Sequence, residues 1–273
     1  MKKLFMILML FSAEVYCMDS FVYLPSPCEI QTGLFKEAGF VQPDSAKIYL
    51  DSAQYLMEKG KHEDALNMYR RVTELNPENS DAYIGWLSAC FGLGRVEEGI
   101  QAIDQWIEYN PDNTQAWLYK AFAEAEMKHP EKSLEAFDML ISLQPQEASN
   151  YVGRGQMLYE LGKYPEAIEA FDKALSMDPS RSDVVGMKAS SLARLGEFDE
   201  ALSIVNTLLE HSPGDPTACY NRACIYSLKG EKANALTDLQ RAIEIEPYFK
   251  EYARQDEDFK ALFDHEEFIN LTK

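Results

Sequence analysis

The sequence predicts an all-α fold: a solenoid of antiparallel helix pairs, in six tandem units of 34 residues with a cap at each end. Three observations predict it. Prolines stand at 43, 77, 111, 145, 179, 213 and 247, always 34 residues apart. Glycines stand in one phase with them, at 60, 94, 162, 196 and 230. Bulky and small apolar residues keep the same phase between these punctuation marks. A fixed period of this length marks an array rather than a globular core.

The elements follow in order. With the proline counted as position 32, the units run 46–79, 80–113, 114–147, 148–181, 182–215 and 216–249. The first helix of a unit carries a bulky residue at position 4 (Tyr49, Tyr83, Trp117, Tyr151). A small one follows at position 8 (Ala53, Ala121, Gly155, Ala189, Ala223). The two lie one turn apart on one face, and the small one admits a neighbouring helix. Glycine at position 15 ends this helix, because it enters the left-handed region cheaply. Leu161-Gly162-Lys163-Tyr164 is such a turn. The second helix crosses the first at position 20, held by Ala65, Gly99, Ser133, Ala167, Ala201 and Ala235. Position 24 fills the space between units with Tyr69, Ile103, Phe137, Phe171, Val205 and Leu239. Proline then stops the helix. Asn79, Ser80, Asn113, Thr114 and Ser182 offer caps to the next one.

This pattern resembles the tetratricopeptide repeat over residues 46–249. The resemblance implies a right-handed superhelix whose first helices line a concave wall through positions 2, 5, 9, 12 and 13. It implies a non-enzymatic scaffold or adaptor that binds a peptide or helix of a partner in that groove. The wall residues so selected are Lys47, Leu50, Gln54, Ile84, Ser88, Leu118, Phe122, Glu126, Val152, Gln156, Tyr159, Ser190, Arg194 and Tyr220, with Met57, Phe91 and Cys224 on the same stripe. Leu118, Phe122, Val152 and Tyr159 are expected to make an apolar strip at mid-groove. Gln54 and Gln156 could hydrogen-bond a bound backbone. Some chaperone-binding members clamp a carboxylate tail with lysine, asparagine and arginine. Here those positions hold Leu50, Gln54, Gly85, Gln115 and Tyr119, which argues against such a partner. The chain also departs from the pattern. Lys128-His129-Pro130 replaces the glycine turn, Gly99 and Ser133 replace alanine, and Trp86 and Trp106 make the second unit bulky. These departures either drift within a tolerant fold, or make the second or third unit pack differently and so bend the array or offer a partner contact.

End units expose an apolar face and need cover. Within 18–45, Glu29–Gly39 reads as a lone second helix that shields the first unit, with Phe35, Ala38 and Pro43 in phase. Residues 250–273 read as two or three short capping helices, with Asp256, Glu257 and Asp258 as helix-start charges rather than a calcium site. At the other terminus, two lysines precede the apolar run Leu4–Phe11. Either residues 1–17 are a signal peptide and the chain is periplasmic or extracellular, or translation starts at Met18 and the chain is cytoplasmic. The apolar run is too short for a stable membrane span.

Composition sets the outer bounds. Hydrophobic residues make up 46% of the chain, which excludes wholesale disorder. Acids outnumber bases 45 to 26, for a net charge of -19. Such a surface repels nucleic acid and suits neutral, apolar or basic proteins or peptides. Five cysteines without a CxxC argue against a disulfide framework or a zinc site. Cys90 and Cys219 fall on core positions. The four histidines are scattered over different units, and no nucleophile elbow, phosphate loop or zinc-protease motif occurs, so no catalytic residue, metal or cofactor is expected. Two competing readings remain: a structural part of an exported cell-envelope assembly, and an enzyme built on a helical-repeat scaffold.

Overall fold

The computed structural model describes residues 45–273; the expectations for the leader and for the shielding helix at 29–39 lie outside the described residues. Among these residues there is no strand. Twelve helices make six pairs. They are α1 (Ser45–Glu58) and α2 (His62–Leu75), α3 (Ser80–Gly92) and α4 (Val96–Tyr109), α5 (Thr114–Glu126) and α6 (Pro130–Leu143), α7 (Ala148–Glu160) and α8 (Tyr164–Met177), α9 (Ser182–Arg194) and α10 (Phe198–His211), and α11 (Pro216–Lys229) and α12 (Lys232–Ile245). Three short elements follow: α13 (Phe249–Ala253), a 3-10 turn (Glu257–Leu262) and α14 (Glu266–Thr272). The fold is a helical solenoid. The chain divides into two compact units at Ala136/Phe137.

One hydrogen-bonded turn closes every pair. In the first, Gly60 has φ 69°, its N–H donates to Met57 O at 2.9 Å, and Lys61 N–H donates to Leu56 O at 2.9 Å. This two-bond clasp satisfies carbonyls that a helix end would leave bare. It recurs at Gly94, Gly162, Gly196 and Gly230. It recurs also at Lys128, which has φ 62° although it is not glycine. There Lys128 N–H donates to Ala125 O at 3.0 Å and His129 N–H to Glu124 O at 2.9 Å. The unusual turn of the third repeat therefore keeps the common turn geometry. Of the expected caps, Asn79 and Asn113 serve, accepting from Ala82 N–H at 2.8 Å and Ala116 N–H at 3.0 Å.

In the first unit the core is aromatic at its centre. Tyr83 stacks on Trp106, with centroids 5.6 Å apart, and on Trp86 at 6.4 Å. Trp106 is 1% exposed and Trp86 8%, so both fill the core rather than offering the partner contact that their bulk suggested. Burying each contributes an upper bound of roughly 4–6 kcal/mol. The two departures at position 20 are compensated locally. A Cβ on Gly99 would lie 2.9 Å from Leu87 Cδ1, so the bulk has moved to position 8 of the facing helix. The Ser133 hydroxyl donates to Ala121 O at 2.8 Å and so is buried without loss.

In the second unit the core runs from α9 through α12 into the C-terminal elements, where Phe249, Phe259, Leu262 and Phe268 are all buried. The close approach of helices is set by complementary sizes. A Cβ on Gly153 would meet the Phe137 ring at 2.2 Å. The first unit uses the same device, with Gly85 against the Tyr69 ring at 2.2 Å.

Candidate functional site

The inner stripe was expected at positions 2, 5, 9, 12 and 13 of each first helix. Its exposure changes along the chain. In repeats 1 to 3 Leu50, Gln54 and Met57, Ile84, Ser88 and Phe91, and Leu118 and Phe122 are all half-buried. Lys47 and Glu126 are exposed. In repeat 4, Val152 is buried while Gln156 and Tyr159 are half-buried. In repeat 6, Tyr220, Cys224 and Ser227 are all buried.

The first unit therefore carries an accessible apolar stripe. Leu50 and Ile84 pack against its aromatic cluster, and Phe91 and Phe122 against Leu87, Ile103 and Ala123. These side chains are anchored on one side and open on the other, which is the state of an apolar contact surface. Ser88 contributes less than expected, because its hydroxyl donates to Ile84 O at 2.8 Å.

Two predicted wall residues of the second unit are corrected. Val152 is 6% exposed and Tyr220 4%, so neither presents its side chain to a partner. Cys224, on the same stripe, is 5% exposed. The expected strip of Leu118, Phe122, Val152 and Tyr159 is divided accordingly: its first two members lie in the first unit and its last two in the second. Ser190 remains half-buried on α9. The Gln156 amide lies 3.4 Å from Met187 Sδ, a weak contact that leaves it available to a stronger acceptor.

Tyr220 and Cys224 are buried by the chain's own C-terminal elements. Phe249 stacks on Tyr220 at 4.6 Å, and Phe259 and Tyr252 meet it edge-on at 5.5 and 5.6 Å. The Tyr220 hydroxyl donates to Asp256 Oδ2 at 2.8 Å. Asp256 Oδ1 accepts from Asp258 N–H at 3.0 Å, which opens the 3-10 turn as a capping charge would. Arg194 Nε donates to the Tyr159 hydroxyl at 3.2 Å, and the same guanidinium forms an ion pair with Asp258. Arg194 and Tyr159 are thus already engaged.

Charge in this cluster is strained. Burial first, and then the neighbouring Asp256, push the Asp258 carboxyl up to about 6 against the pull of Arg194. Burial also pushes the Cys224 thiol and the Tyr220 hydroxyl far up, so both stay protonated. Ligand atoms of Cys224, Asp256 and Asp258 lie within 4.8 Å of one another. The Arg194 guanidinium already pairs with Asp258 and the thiol holds its proton, so the trio fits a charge-paired cluster better than a metal centre.

Sequence reasoning missed this cluster because its acids read as ordinary helix-start charges. The signal was Arg194 at an inner position, where the other predicted wall residues of the second unit carry apolar, amide or hydroxyl side chains. It missed a second buried charge as well. Glu124 is 1% exposed and pairs with Lys120 at 2.9 Å and His129 Nδ1 at 2.8 Å. A shallow cleft of about 280 Å³ also lies in the cap, between Arg254, Phe263, Phe268, Ile269, Thr272 and Lys273. No described helix is long and apolar enough to cross a membrane.

Comparison with known proteins agrees with this geometry. Family profiles described as "Tetratricopeptide repeat" match residues 56–121 and 158–221, residues 123–182, and residues 216–249. A tetratricopeptide repeat protein from Parabacteroides merdae shares 20% identity with a TM-score of 0.63, over 84% of this chain and 99% of that one. YrrB, "a TPR protein with an unusual peptide-binding site", shares 20% identity with a TM-score of 0.52, over 69% of this chain and 98% of that one. PilF of Pseudomonas aeruginosa shares 13% identity with a TM-score of 0.55, over 80% and 96%. No curated protein sequence matches. At these identities the solved structures establish the fold alone, while the matched profiles establish the lineage: this chain belongs to the tetratricopeptide repeat family, whose helical solenoids are typically non-enzymatic scaffolds for protein interaction.

Proposed function

We infer that the chain is an adaptor that holds an apolar or basic segment of a partner protein against the inner stripe of repeats 1 to 3. One observation carries this reading. The stripe stays half-exposed through Leu50, Ile84, Leu118 and Phe122, whereas its counterpart in repeat 6 is covered by the chain itself. An apolar row on a helical surface gains roughly 25 cal/mol for each Å² removed from water, and a docked amphipathic helix or extended peptide supplies the matching row. The acidic balance of the chain favours a partner flanked by basic residues.

The test is affinity capture from native lysate with quantitative mass spectrometry, on wild type and on a Leu118→Ala/Phe122→Ala variant. A specific partner is expected to drop at least tenfold in the variant while the helical signal is retained. Equal recovery of every partner would remove the stripe from the account.

A further inference from the structure

We propose that the turn Glu257–Leu262 is a releasable plug, seated on the inner wall of repeats 4 to 6 as a partner segment would be, and that its seating tightens on acidification. The inference stands apart from the adaptor reading, which concerns the stripe of repeats 1 to 3. The plug itself is read independently below.

The geometry of the seat has two parts. The first is an apolar anchor: Phe259 and Leu262 are fully buried, and Phe259 meets the rings of Tyr220 and Phe268. The second is a charged lock. Asp256 is held by the Tyr220 hydroxyl and the backbone N–H of Asp258. Asp258 faces Arg194 as an ion pair, without a well-aligned hydrogen bond to that oxygen. The groups around the lock are Tyr159 on α7, Arg194 on α9, Tyr220 and Cys224 on α11, Tyr252 on α13 and Asp256 in the turn itself. The guanidinium therefore pairs with Asp258, which is 9% exposed, while Asp256 adds a second negative charge beside that buried carboxyl. With both acids ionised, one negative charge is left over, and burial makes that unfavourable.

The direction of the pH effect follows. The carboxyl of Asp258 in the seated turn lies at about 6, above its ordinary 3.8. A group raised in the closed state stabilises that state fully at low pH and loses the contribution as pH rises through the closed-state value. Local opening of the turn should thus become about tenfold more frequent between pH 5 and pH 7.5. The vacated wall would present a guanidinium, a phenol and an aromatic floor. That chemistry fits an acidic, aromatic segment like the plug itself.

The experiment is hydrogen–deuterium exchange on the full chain at pH 5.0 and 7.5, corrected for intrinsic amide rates, with α3 amides as the internal reference. In wild type the amides of 257–263 are expected to open about tenfold more at pH 7.5, while α3 does not change in step. Asp258→Asn should remove the difference and hold the turn closed at both pH values. Asp256→Asn, which takes away the neighbouring charge, should shrink the ratio and carries the test if Asp258→Asn loses its helical signal. A wild-type ratio within about twofold of unity, or an unchanged ratio in the variant used, would overturn the proposal.

Discussion

Lys128 and Glu124 show how a repeat departs from its consensus without departing from its shape. A side chain at φ 62° costs about 1 kcal/mol more than glycine does there, less the extra freedom that glycine gives the unfolded chain. Lys128→Gly should therefore stabilise the protein by about 0.5 kcal/mol in urea unfolding, and Lys128→Val should destabilise it by at least 1 kcal/mol. Glu124 sits beneath this turn. Burial pushes its carboxyl up, but the hydrogen bonds of Lys120 and His129, with the charges of Lys120 and Lys132, outweigh burial and hold it below the usual range. A carboxyl lowered in the folded state stabilises above its ordinary value and loses that contribution as pH falls through the folded one. Glu124→Ala should cost about 3 kcal/mol at pH 7, because Lys120 loses its buried partner. The gap to wild type should narrow in acid melts below the ordinary carboxylate range.

At the scale of elements, neighbouring helices meet through size matching that no single position reveals. The tight turns were legible, since glycine at one phase names its own backbone geometry. The contact between Phe137 and Gly153 was not. Position 6 carries no constant residue type, and its meaning depends on position 24 of the repeat before it. Gly153→Ala should destabilise by about 2 kcal/mol, because its new carbon would overlap the Phe137 ring. Phe137→Leu should recover part of that loss, and a double-mutant cycle with both single variants measures the coupling.

Across the whole molecule, the period made the helical solenoid legible from proline, glycine and the apolar residues that keep phase with them. The inner wall was legible only in part. Its positions follow from the family's geometry, but the cover over repeat 6 depends on a tail outside the repeat, which the period does not describe. Two substitutions on one nominal stripe should therefore behave differently. Phe122→Ala should weaken partner capture with little change in melting temperature. Tyr220→Ala should cost roughly 3–5 kcal/mol of stability, as expected for a buried aromatic, and is read by thermal unfolding.

The ring-and-glycine pairing also limits how such a chain can be edited. Because all six clasps close alike, excising residues 148–181 would rejoin the backbone in perfect phase. The junction would then bring Phe137 up against Met187 where Gly153 had stood. Each hairpin thus carries an address as well as a shape, and shuffling or duplicating a module requires its successor to be rewritten with it.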